Sequence, residues 1–100
     1  MPKQTSTWKA VERRVAEKLS GERVGNRGSA TEDVAHPVFS VEVKHRKEMP
    51  KLIDDGMTQC RRNAPDGKMP LLVLHAASSR RYYAVIDVDD LVALLQARTQ

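Results

Sequence analysis

Pro37-Val38-Phe39-Ser40-Val41-Glu42-Val43-Lys44-His45 is the stretch on which the reading of this chain turns. Its β-branched and aromatic content favours an extended backbone, and its period of two divides it into faces. Val38, Ser40, Glu42 and Lys44 fall on one face, with Phe39, Val41, Val43 and His45 on the other. Glu42 and Lys44 then point the same way, about 7 Å apart along the strand. Two readings fit a Glu-x-Lys on one strand face. One is a solvent-facing ion pair worth under about 1 kcal/mol; the other is a pair of groups held out for chemistry.

Working outward, Ala35-His36-Pro37 supplies a turn, and residues 32–34 read as a short strand that can pair back on the first. Residues 22–34 are rich in Gly, Asn, Ser and Thr, which suits short strands and turns. Before them, Trp8, Val11, Val15 and Leu19 recur at helical spacing over residues 7–20, and Gly21 sits where a helix-ending glycine belongs. After the strand, Leu52, Ile53, Gly56, Met57 and Cys60 line one side of a helix over residues 50–63. Asn63-Ala64-Pro65-Asp66-Gly67 ends it. Residues 71–75 read as a strand buried on both faces, Ser78-Ser79-Arg80-Arg81 as a turn and residues 82–86 as another strand. Asp87, Asp89 and Asp90 then open a helix over residues 91–97, acting as cap and first turn rather than as a metal cluster. The order α-β-β-β-α-β-β-α predicts an α/β domain over residues 1–100, with a central mixed sheet flanked by helices.

Composition narrows the class. Forty per cent apolar and 30% charged residues over 100 residues suit a folded soluble domain with a thin core, which dimerisation would help to cover. No apolar run approaches a membrane span, and the N-terminus lacks the apolar segment of a signal peptide. One cysteine allows neither an internal disulfide nor a cysteine zinc site, so a reducing cytoplasm is expected. The net charge of +4 suits a polyanion as readily as it suits simple solubility. His36, His45 and His75 are too scattered to suggest zinc. Tyr82-Tyr83 after Arg80-Arg81 could stack on bases, yet a strand with one tyrosine inward and one outward explains them as well. The glycine patterns of nucleotide sites and the Gly-x-Ser-x-Gly elbow are missing, so no nucleotide cofactor is expected.

Two further acids bear on the strand. If residues 32–34 pair back on it, Asp33 lies beside Glu42, and two carboxylates so close repel unless a cation joins them. Oxygen-only ligation selects Mg²⁺ or Mn²⁺ over zinc; the alternative is an ordinary turn aspartate. Glu12 falls within about 60° of the centre of the apolar stripe of the first helix. A carboxylate there must find a cation or a donor, unless it stays solvated at the stripe's edge or pairs with a structural arginine.

A helix bearing Glu12, then Asp33, then Glu42-Val43-Lys44 on a hydrophobic strand resembles the PD-(D/E)XK nuclease superfamily. Within it the chain is most similar to the archaeal-type Holliday junction resolvases and their small phage-encoded relatives, over roughly residues 8–74. Glu12-Arg13 resembles the family's helix glutamate with its basic neighbour. Arg27-Gly28-Ser29 is similar to the Gly/Ser loop that touches the scissile strand, and Gln59 looks like the polar residue that many members aim into the site. The family's "PD" proline is replaced by Glu32, and Asp33 is preferred to Glu32 because its shorter side chain and the following Val34 suit a strand.

The resemblance implies a restriction-endonuclease-like core and a homodimer that cuts four-way DNA junctions, in the cytoplasm of a prokaryotic or phage-infected cell. It implies that Asp33, Glu42 and the backbone carbonyl of Val43 hold Mg²⁺, with Mn²⁺ able to substitute. Glu12 would act through a second metal or a metal-bound water. Neighbouring carboxylates favour the charged ammonium, so Lys44 is expected to orient water and offset transition-state charge rather than to take a proton. Arg13, Arg14, Arg27, Ser29, Thr31, Arg46, Lys47 and Gln59 are the expected DNA contacts, within a wider basic rim that adds Arg23, His45 and Lys51. A general or nicking nuclease of the same superfamily, a DNA-binding module that does not cut, and a basic α/β interaction protein with incidental acids stand as alternatives.

Overall fold

A computed structural model of the chain describes residues 7–25 and 32–98. In chain order these form α1 (Trp8–Leu19), β1 (Glu22–Arg23), β2 (Val34–Ala35), β3 (Ser40–Val41), α2 (Lys51–Asn63), β4 (Leu72–His75), β5 (Tyr82–Val85) and α3 (Val88–Arg98). The protein is α/β, with the element order read from the sequence. The chain divides into a first unit ending at Arg46 and a second beginning at Lys47. Among the described residues no helix is long and apolar enough to cross a membrane.

In the first unit α1 starts where Thr7 Oγ1 accepts the Ala10 N–H at 3.1 Å, satisfying one of the donors a helix start leaves open. It ends in a Schellman pattern: Ser20 takes the left-handed conformation at φ 58°, with Ser20 N–H on Glu17 O and Gly21 N–H on Ala16 O. Gly21 is needed for another reason. A Cβ there would lie 2.5 Å from the carbonyl oxygen of Ala35, so β2 can pass close only over a glycine. β1, β2 and β3 form an antiparallel sheet in that order, with Arg23 opposite Val34 and Val34 opposite Val41. Helix α1 packs on β1 and β2. Ala16, Leu19 and Val34 make the buried centre, and among the described residues Val34 alone is completely covered. His36 Nδ1 accepts the N–H groups of Val38 and Phe39, so this histidine shapes the turn into β3.

In the second unit α2 lies on β4, its Gly56 so close to Leu72 that a Cβ would meet Leu72 Cδ2 at 2.8 Å. Met57 is the buried residue of α2. Leu52, expected on the same side, is exposed, because Ile53, Gly56, Met57 and Cys60 keep the i, i+3, i+4, i+7 phase and Leu52 falls off it. β4 and β5 pair antiparallel, Leu72 opposite Val85 and His75 opposite Tyr82. Asp87 Oδ1 accepts the Asp89 N–H at 2.8 Å at the start of α3, the expected capping role.

Three sequence expectations change. The strand pairings among the described residues are all antiparallel and form two sheets, in place of one mixed sheet. β2 and β3, like β4 and β5, are joined by connections too short for the crossover that parallel strands need. β4 is not covered on both faces: Leu72 and Leu74 are half-buried, whereas Val73 and His75 are exposed, since α2 covers one side of a two-stranded ribbon. The tyrosines of β5 do not divide into one inward and one outward. Both are exposed, because Tyr83 lies toward the end of the ribbon away from the Leu72–Val85 pair.

Candidate active site

The candidate site gathers where β2 meets β3. Asp33 immediately precedes β2 and ties both neighbouring strands. Its carbonyl accepts the Val24 N–H at 3.0 Å, and its own N–H donates to Val41 O at 2.8 Å. The first bond keeps the β1–β2 register, while the second is one residue out of step with the Val34–Val41 pairing. Such a slip re-aims a side chain and stops the ladder. The carboxylate then does what the next backbone carbonyl would have done: Asp33 Oδ2 accepts the Val43 N–H at 2.7 Å. This is why β3 is only Ser40–Val41, although the alternating pattern continues to His45.

The aspartate is thus fastened to the middle of Glu42-Val43-Lys44. Its contact with Val43 is to the N–H. Glu42 Oε2 and Lys44 Nζ lie 4.0 Å apart, with side chains 62% and 80% exposed. They share a face, as the alternation predicts, and point into water. Of the two consecutive acids, Asp33 reaches Val43, whereas Glu32 Oε1 accepts from Ser40 Oγ at 3.2 Å.

Glu12 is on the buried side of α1, 7% exposed, as its helical phase requires. Its partner is Arg23 on β1, whose Nε donates to Glu12 Oε1 at 2.8 Å. In the sequence, Arg23 stands only as one cation of a basic rim. Helical phase shows that a buried glutamate on α1 needs a donor, but it does not select Arg23 from the arginines that follow.

Arg13 and Arg14 are exposed on α1. Arg46 is exposed at the end of the first unit, and Lys47 and Gln59 are exposed in the second. Lys51, expected in the basic rim, is paired with Asp55 at 2.7 Å, the i,i+4 spacing of a helix. Arg27, Ser29 and Thr31 lie outside the described residues.

The donor chemistry fits a hard cation. Asp33 Oδ1, just before β2, and the Glu42 carboxylate, just after β3, are oxygen donors. Among the described residues no three His, Cys, Asp or Glu side chains close into a cage. One or two carboxylates completed by water and phosphate oxygens is the usual manner of Mg²⁺. Compared with protein-family models, curated proteins and solved structures, the chain matches none.

Proposed function

We propose that this chain is a Mg²⁺-dependent, structure-selective DNA endonuclease with a restriction-endonuclease-like core, acting on four-way junctions as a homodimer in the cytoplasm. The observation that carries the reading is the Asp33–Val43 hydrogen bond, which fastens one carboxylate against the segment after β3 that presents Glu42 and Lys44 together. The resemblance to junction resolvases supports the choice of substrate, and symmetric cutting of two strands requires two sites related by a two-fold axis.

Asp33 and Glu42 would hold the cation, which supplies Lewis acidity toward a phosphate oxygen and a bound water. Lys44, held near Glu42, offsets charge that develops on the phosphate in the transition state and orients the attacking water. Glu12 takes part only through water, since Oε1 is engaged by Arg23. Arg13, Arg14, Arg46 and Lys47 neutralise backbone phosphates, and Arg27, Ser29, Thr31 and Gln59 complete the expected contacts.

The test is cleavage of an end-labelled four-way junction, with linear duplex as control, by wild type and Asp33→Asn, with and without Mg²⁺. Asparagine keeps an acceptor for the Val43 N–H, so the fold survives while the charge is lost. Symmetric Mg²⁺-dependent cuts by wild type, and binding without cutting by the variant, are expected. Equal cutting of duplex would favour a general or nicking nuclease of the same superfamily. Wild-type cleavage by Asp33→Asn would sink the site. A second reading, a DNA-binding module that does not cut, draws on the Glu12–Arg23 and Asp33–Val43 contacts, which give both acids a structural use. Metal-independent binding with no cleavage in Mn²⁺ would establish it.

A further inference from the structure

The hairpin that joins β4 to β5 takes no part in the site above. Its loop is fixed by its own bonds: Ser79 N–H donates to Ala76 O at 3.0 Å, and Arg81 N–H donates to Ser79 Oγ at 3.0 Å. His75 Nε2 lies 3.0 Å from Ser79 O. The register sets His75 opposite Tyr82, and their rings stack with centroids 4.1 Å apart and planes 16° from parallel. Tyr82 is 69% exposed, so the ring face turned away from the imidazole is open to water.

Two cations, Arg80 and Arg81, immediately precede Tyr82 in the chain. Arg80 and Arg81 are exposed, and neither is ion-paired among the described residues. Residues 68–86 carry Lys68, Arg80 and Arg81 and no Asp or Glu. A flat exposed aromatic platform with two exposed arginines next to it in the chain matches a ligand that alternates planar rings with anions. An apolar protein surface seated there would have to desolvate both arginines without compensation. Duplex DNA keeps its base faces stacked away, whereas unpaired nucleotides present them to aromatic side chains.

We propose that this hairpin tip binds single-stranded DNA, with a base stacked on Tyr82 and with Arg80 and Arg81 on the adjoining phosphates. The proposal rests on DNA being the partner in the reading above, and not on cleavage. It assigns to the second unit the task of holding unpaired nucleotides, of the kind a branch point exposes.

The experiment uses the full chain in EDTA, so that no cutting intervenes. Fluorescence anisotropy reads the binding of labelled oligo(dT) and of an abasic deoxyribose-phosphate strand of equal length. Tyr82→Ala is expected to weaken oligo(dT) binding about tenfold and to leave the abasic strand unaffected, since stacking on one aromatic accounts for that much. Tyr82→Phe should bind oligo(dT) like wild type, which shows that the ring and not the hydroxyl is used. Arg81→Ala should weaken both strands and lower the salt slope by about one. The proposal is overturned if Tyr82→Ala binds both strands like wild type, or if it loses both equally. It is overturned too if oligo(rU) binds more tightly through the same tyrosine, or if Tyr82→Ala changes only the oligomeric state. Junction cleavage is measured separately, so the nuclease reading can fail while this one stands, and the reverse.

Discussion

Glu12 and Arg23 form a pair in which each side chain is tolerable because of the other. The glutamate is 7% exposed and the Arg23 side chain is largely covered, so removing one leaves a charge in a poorly solvated place. Arg23→Ala should destabilise the protein by about 3 kcal/mol, and Glu12→Ala by a similar amount. The double replacement Glu12→Ala/Arg23→Ala should fall well short of the sum, because it removes the stranded charge along with the bond. Urea unfolding of the four proteins of the cycle gives the coupling; strict additivity would show that the two residues stabilise the fold independently. The burial of Glu12 was legible in the sequence, since helical phase alone puts it on the covered side. Its partner was not, because pattern fixes the need for a donor and leaves several arginines able to meet it. The Asp33–Val43 bond was half legible: pairing two strands brings Asp33 near Glu42-Val43-Lys44, but no pattern announces a one-residue slip in register.

The elements were easier to read than their ends. Alternation over residues 38–45 and apolar spacing over residues 7–20 and 50–63 are local properties, and β3, α1 and α2 lie inside those ranges. Where each stops depends on competition between backbone and side chain, as when the Asp33 carboxylate takes the Val43 N–H and closes β3 early. The end of α1 shows the same thing. Gly21 reads as the left-handed residue of a helix terminus, yet Ser20 holds that conformation, and Gly21 serves the close approach of β2. Two substitutions separate these roles. Ser20→Gly should raise stability by about 0.5–1 kcal/mol, because it relieves the left-handed conformation at some expense in chain entropy. Gly21→Ala should lower stability by about 2 kcal/mol or more, since its Cβ would meet the Ala35 carbonyl and not a flexible side chain. Thermal unfolding of both variants checks the pair. A destabilised Ser20→Gly with an unaffected Gly21→Ala would reverse the assignment.

At the scale of the whole molecule the stability problem is plain. Among the described residues, Ala16, Leu19, Val34 and Met57 are the buried apolar ones, whereas Leu71, Val73, Val88 and Leu94 are among the large apolar side chains left exposed. A 100-residue chain with so small a covered centre gains much by associating with a second copy. Helix α3 has no buried residue, and its Val88, Leu91, Val92, Leu94 and Leu95 span a wide arc. In the homodimer proposed for junction cutting, this face would supply the contact. Folding linked to association makes the melting temperature depend on concentration. A hundredfold increase in protein should raise it by roughly 5 °C for two 100-residue protomers unfolding together. Leu94→Glu would remove that dependence and give a monomer in sedimentation, because a charge in the middle of an apolar contact has no partner. If the wild type sediments as a monomer and melts at one temperature across that range, two-fold symmetric cutting loses its structural basis. A nicking activity would then be the form of the nuclease reading that this chain could support.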